Sequence, residues 1–208
     1  MEKNRQSIQK ITRVGVLAAM AIVLSFLESS LVIPVIPLFP NFLKLDIGDM
    51  PALLGAFAFG PLVGVFIEVV KNAVHLIGTQ TAGVGELANA VIGSSFVVTA
   101  GLLYRLHKTR GAAYLGMALG SVVMTAVACA ANYYVLLPLY INVLHFPLAA
   151  IVGLANAAGN LLVKDMPTLI LYVFVPFNLV KGLLVSVLTG LVYKRVSPLL
   201  HGVRAGGG

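Results

Sequence analysis

Charge is scarce in this chain. Only 10% of its 208 residues are Asp, Glu, Lys or Arg, while 59% are apolar and the mean hydropathy is +0.99. A soluble domain carries about 25% charged residues, so an ordinary soluble fold is excluded. No long polar segment breaks the apolar stretches, which leaves no room for a soluble catalytic domain. Cysteine is nearly absent too. The lone Cys129 can close no internal disulfide and build no thiolate metal cluster, and in the run AVACAANYY it reads as a small packing residue. No Walker-type phosphate loop occurs, so ATP hydrolysis by that chemistry is excluded. The four histidines (His75, His107, His145, His201) are scattered, with no partner acids at metal spacing and no nucleophile–base pair. Nothing here supports an enzyme, and neither a cofactor nor a metal is expected.

What the chain does have is apolar stretches of roughly 20 residues along its whole length, as spanning helices require. The net charge of +7 sits in Lys and Arg near helix ends, which reads as cytoplasmic-side anchoring to anionic membrane lipid, with no nucleic acid implied. The first apolar segment runs into a Pro-rich loop without a small-residue cleavage site, so a cleaved signal peptide is not expected. The expectation is one membrane domain over 1–208, with a basic cytoplasmic start (1–10) and a Gly-rich tail (205–208).

The number of crossings turns on Gly60-Pro61 in MPALLGAFAFGPLVGVFIEVVKNAVHLI. Without a break there, the basic run Arg105, His107, Lys108, Arg110 falls on the side opposite the basic N-terminus (Lys3, Arg5, Lys10, Arg13). With a break, a short helix (about 50–59) and a second (about 61–77) fold back on each other. All basic clusters, including Lys194, Arg195 and Arg204, then share one side, as the positive-inside rule requires. The first helix covers about Ile11–Leu27 and can run on toward Ile33. Three prolines keep residues 34–50 out of regular helix, and this long outer segment is expected to act as a lid. Further helices cover about 86–106, 112–137 and from Leu169 or Pro176 to Arg195. The stretch 138–168 reads as a re-entrant or surface helix capping the outer side. The sum is an all-α integral membrane protein of six transmembrane helices, with both termini cytoplasmic and a long outer lid loop between the first two.

Polar side chains at membrane depth cost a few kcal/mol and need a partner or a role. In this topology they converge on the outer leaflet: Lys44 and Asp46 in the lid loop, Glu86 and Asn89, Asn132, and Asn178 with Lys181. Glu86/Asn89 and Asn178/Lys181 are spaced i, i+3, so each pair shares one helix face. Phe42, Leu45, Tyr133, Tyr134, Tyr140 and Phe177 are close enough in sequence to supply apolar walls. Each residue also has a plainer reading. Lys181 can snorkel or pair with Glu86 or Asp165, the asparagines can bridge helices, and Glu86 can favour a helix N-terminus. Convergence on one side is what favours a site. Glu68 and Lys71, three apart, are expected to satisfy each other or a neighbour. On the first helix, Gly15 and Ala19 form a small-xxx-small pair beside Ala18, Ala21 and Ser25, suited either to internal packing or to docking of a partner membrane protein.

The segments LKLDIGDMPALLGAFAFGP (43–61), VGELANAVIG (84–93), NYYVLLPLY (132–140) and PFNLVKG (176–182) together resemble the riboflavin-specific substrate-binding subunit (S component) of energy-coupling-factor vitamin transporters, in order over most of residues 10–197. The resemblance implies a six-helix protein in a prokaryotic cell membrane that captures riboflavin outside, as transported ligand. It also implies association with a transmembrane coupling subunit and two cytoplasmic ATPase subunits. Ligand contacts carry over onto the loop around Leu45 and Asp46, onto Asn132, and onto Asn178 and Lys181 at the flavin edge, with Glu86 and Asn89 on the matching motif of the 86–106 helix. The family's Ala-xxx-Ala docking motif is here Gly15-xxx-Ala19, with Ala18 beside it. Other readings stay open at this point: the same architecture for thiamine, biotin or pantothenate, a stand-alone membrane enzyme, or a channel.

Overall fold

The computed structural model describes residues 2–30, 39–40, 43–79 and 81–201. Much of the expected lid loop (31–38 and 41–42, with Phe42) and the Gly-rich tail lie outside the described residues. The elements are α1 (Glu2–Ser30), α2 (Asp49–Phe59), α3 (Pro61–His75), α4 (Val84–His107), α5 (Arg110–Ala131), α6 (Leu137–Asn142), α7 (Leu148–Ala157), α8 (Met166–Leu169) and α9 (Val175–His201). Among the described residues all regular structure is helical. Single π turns, Asn132–Leu136 and Ile170–Phe174, join α5 to α6 and α8 to α9 without a break in direction.

Among the described residues, five stretches are long and apolar enough to cross a membrane: Asn4–Glu28, Pro61–Gly78, Val84–His107, Arg110–Asn142 and Met166–Tyr193. The second helix expected from the sequence is present as α2, whose 11 residues reach only about 16 Å at 1.5 Å per residue. That is half the thickness of the hydrocarbon core. Gly60 ends it with φ +104°, open to glycine but strained for other residues, and Pro61 starts α3 at the position where a missing N–H costs nothing.

The half-helix lies at the centre of the bundle. Every residue from Asp49 to Phe57 is buried, enclosed by α1, α3, α4 and α9. Between helices in lipid the hydrophobic effect supplies no attraction, so close packing of small residues must. Gly64 of α3 lies against Ala52 and Ala56 of α2 and Val97 of α4, Gly120 of α5 against Phe96, and Gly182 of α9 against Ser121.

One end of the bundle carries the α4–α5 turn with Arg105 and Arg110, and is closed by Phe57, Tyr104 and Tyr193, whose two tyrosine hydroxyls are 2.7 Å apart. The other end is broader. Of the stretch 138–168, left open between re-entrant and surface forms by the sequence, residues 138–142 extend the helix before it and 166–168 begin the one after it. The middle packs as a cap: α7 joins Leu137, Val163, Leu169 and Val173 in a second apolar cluster. Asn160 pins this cap by donating its amide to the Tyr172 carbonyl inside the π turn, at 2.9 Å. The continuous stretch Arg110–Asn142 is about 50 Å long and rises past the other helices here, walling a deep cavity.

Gly64→Ala would place a methyl 2.2 Å from Val97 and 2.9 Å from the Ala52 carbonyl. Overpacking of this kind costs about 1–3 kcal/mol, so the thermal midpoint in detergent is expected to fall. Gly15→Ala, where nothing lies within 4 Å, should leave it unchanged. Equal midpoints for the two variants would remove Gly64 from the account of helix packing.

Candidate ligand-binding site

Charge buried in an apolar bundle has to be neutralised where it stands, and the sequence provides for this by placing acids and lysines one helical turn apart. Asp46 lies in the loop before α2 and Asp49 at its first residue; Glu68 and Lys71 lie on one face of α3. The Lys71 ammonium, fully buried, sits 2.8 Å from Asp46 Oδ2 and 2.8 Å from Glu68 Oε2, and hydrogen-bonds Asp49 as well. From α9, Lys181 reaches Asp49 Oδ2 at 3.0 Å. Asn89 of α4 is the crossing point. Its amide nitrogen donates to Asp46 and, at 3.0 Å, to Asn72 Oδ1, while its oxygen accepts from Lys181 at 3.0 Å. Two ammonium groups thus tie three carboxylates on two helices and a loop to α9. Burial alone opposes the charge on Asp46, but Lys71 and Lys181 outweigh it and hold its carboxyl well below the ordinary value of 3.8. Its hold on the loop is therefore complete above that pH and is lost only as pH falls below it.

This network lines one side of a cavity of about 640 Å3, within the roughly 300–1,000 Å3 typical of small-ligand sites. Ile92, Leu137, Ile151, Phe174 and Phe177 supply apolar wall, and Asn132, Asn178 and Lys181 supply polar groups. The two asparagines behave alike. Each donates its amide N–H to the carbonyl one turn earlier, Ala128 and Phe174, both at 2.8 Å. Each side-chain oxygen is left as an acceptor. Lys181 has three N–H donors, of which Asp49 and Asn89 take two, leaving one for a ligand. Among the described residues no cluster of side chains could hold a metal ion.

A family profile for the substrate-specific component of ECF transporters matches residues 9–193. The chain is 34% identical to the riboflavin transporter RibU of Staphylococcus aureus (strain TCH60), over 95% of each chain. The chain belongs to the substrate-specific components of ECF transporters. It is also 30% identical to the riboflavin transporter FmnP of Bacillus subtilis (strain 168), over 95% of this chain and 97% of that one. A solved S component of a bacterial ECF transporter superposes with a TM-score of 0.69 at 30% identity, over 93% of this chain and 98% of the other. The members of this family are transport components, not enzymes.

Of the residues singled out in the sequence, this S component brings Asp46, Glu86, Asn89, Asn132, Asn178 and Lys181 to the cavity wall. Their duties differ from the expectation. Asn89 spends its donors and its acceptor inside the network. Glu86 accepts the hydroxyls of Thr79 (2.9 Å) and Thr81 (3.0 Å), which in turn accept the N–H groups of Gly83 and Gly85, so it organises the 79–85 loop. Leu45 is buried away from the wall. Lys181 pairs with Asp49, not with Glu86 or Asp165. Tyr140 and Phe177 line the cavity, whereas Tyr133 and Tyr134 face outward from the π turn. On α1, Gly15 and Ala19 face outward but Ala18 packs into the core, so the three expected docking residues fall on two faces. Asp49, Asn72 and Glu28 were not singled out. The signal was available in the Asp46/Asp49 spacing, which repeats the one-turn spacing of Glu68/Lys71.

Lys71→Met should be severely destabilising, because it strands buried carboxylates. Removing one partner of a buried pair costs about 3–5 kcal/mol. Loss of the monodisperse species in detergent, or a collapse of the thermal midpoint, is the expected result. A wild-type midpoint would mean that the network does not hold the helices together.

Proposed function

We propose that this S component captures riboflavin at the outer face of a prokaryotic cell membrane and delivers it to an ATP-driven module, made of a transmembrane coupling subunit and two cytoplasmic ATPase subunits. The observation that carries the reading is the polar triad on the cavity wall. Asn132 and Asn178 each offer an amide oxygen, and Lys181 offers one uncommitted N–H. A flavin presents an imide edge, carbonyl–NH–carbonyl. Its N–H matches an asparagine oxygen and a carbonyl matches the lysine. The apolar wall from Phe174 and Phe177 suits the dimethyl end of the ring. The names of the S. aureus and B. subtilis relatives favour the same ligand.

The membrane topology follows from the positive-inside rule. The end with Arg105 and Arg110 is cytoplasmic together with both termini, and the cavity, lined by Leu43, Lys44 and Asp46, opens outside. Counting the half-length α2, the protein then has six membrane helices in a single substrate-binding domain. The chain contains no phosphate loop, so the energy for uptake comes from the partner ATPases.

Titration of ligand-free protein with riboflavin should quench flavin fluorescence saturably, with no displacement by thiamine, biotin or pantothenate. Asn178→Ala and Lys181→Met should each weaken binding by about tenfold or more, the worth of a hydrogen bond to a charged or buried partner. Full displacement by another of these vitamins would reassign the ligand. Wild-type affinity in both variants would move the site elsewhere.

A further inference from the structure

A carboxylate in the last turn of a helix is disfavoured by the helix dipole, yet α1 ends with Glu28 there. Its two oxygens accept the consecutive backbone N–H groups of Asp46 (2.8 Å) and Ile47 (2.7 Å). Consecutive amides turned onto one anion form a strong, charge-assisted clamp. The clamped backbone is strained, since Asp46 has φ +54°, a conformation that persists in a non-glycine residue only where its surroundings enforce it. Two more residues on the same face of α1 stand beside this segment. The Ser25 side chain lines the cavity together with Asp46, and Gly48 lies so close to α1 that a Cβ there would come within 2.6 Å of the Ala21 carbonyl. Ala21, Ser25 and Glu28 stand at i, i+4 and i+7, one stripe along the helix.

We propose that Glu28 is a positioning residue: it latches segment 43–48 onto α1 and thereby fixes Asp46 and Asn89, and through them Lys181, at the cavity wall. Glu28 itself does not line the cavity. The route from it to the ligand lysine is short: the Asp46 backbone held by Glu28, the Asp46 carboxylate held by Lys71 and Asn89, and Asn89 held by Lys181. A shift of the last turn of α1 unlatches the segment and withdraws the support of Lys181. The outward-facing Gly15 and Ala19 are on that same helix, so whatever displaces α1 from outside also acts on ligand retention. The identity of the ligand here rests on the reading given under Proposed function.

The test uses the full chain, with riboflavin dissociation followed by stopped-flow fluorescence and backbone amide exchange followed by mass spectrometry. In the wild type, the Asp46 and Ile47 amides should exchange slowly although they lie in a loop. In Glu28→Gln, which offers one acceptor where two are needed, exchange of 43–48 should accelerate while α5 is unchanged. Riboflavin dissociation should rise about tenfold, the loss of one charge-assisted hydrogen bond, with association unaltered. Fast exchange of the two amides in the wild type would overturn the latch without any variant. So would a Glu28→Gln protein with wild-type dissociation and exchange. If the wild type binds no riboflavin, the ligand reading fails, and the exchange of 43–48 in the two proteins still decides the latch.

Discussion

The structure depends on one buried ammonium. Lys71 stands in the apolar interior with Asp46, Asp49 and Glu68 around it, and each of these groups alone would be costly at that depth. Together they stabilise one arrangement of the loop, α2 and α3, because any slippage of one element leaves a charge without its partner. Isolated buried ion pairs are poor sources of net stability, and their better-attested use is to specify a unique geometry. That is the role seen here. The network fixes where the half-helix α2 begins and the place where α9 presents Lys181.

The two ends of the bundle divide the work. Toward the basic end, glycines and alanines let helices touch backbone to backbone, and the Tyr104–Tyr193 hydrogen bond closes the gap. Toward the other end the helices are interrupted by π turns, in α5–α6 and α8–α9. Such turns often mark functional sites. One π turn begins at Asn132, and the other ends at Phe174, whose carbonyl accepts from Asn178, so both asparagines that present acceptors to the cavity are tied to a distorted turn. Rigid packing at one end and relieved helices at the other leave room for a ligand without loosening the bundle.

Much of this was legible in the sequence for a physical reason. In a chain so poor in charge, each Asp, Glu, Lys and Asn inside an apolar run must be explained, and Asn132, Asn178 and Lys181 came to attention that way. Gly60-Pro61 was readable because no helix passes through that pair unbroken. The division of labour was not readable. Sequence spacing places Glu86 and Asn89 on one face but does not tell which atoms they spend on neighbours, and only packing shows Asn89 committed to Asp46, Asn72 and Lys181. Glu28 stayed hidden because its partners are backbone N–H groups, which every residue has. Ala18 was grouped with Gly15 and Ala19 by spacing alone, while the packing of α1 turns it into the core beside Leu17 and Ala21. The cap within 138–168 resisted reading because its glycines and asparagines break the apolar periodicity, and its position is set by tertiary contacts such as that of Asn160 with Tyr172.

The central claim is that the network which closes the bundle also aims the ligand lysine. A double-mutant cycle between Asp49 and Lys181, read in riboflavin affinity, tests it most directly. If Asp49 acts by positioning Lys181, then Asp49→Asn weakens binding alone but adds little once Lys181→Met is present. The coupling energy should lie within the 0.5–3 kcal/mol range, roughly, of interacting side chains. Losses that simply add would show that Asp49 and Lys181 act independently and would contradict the account.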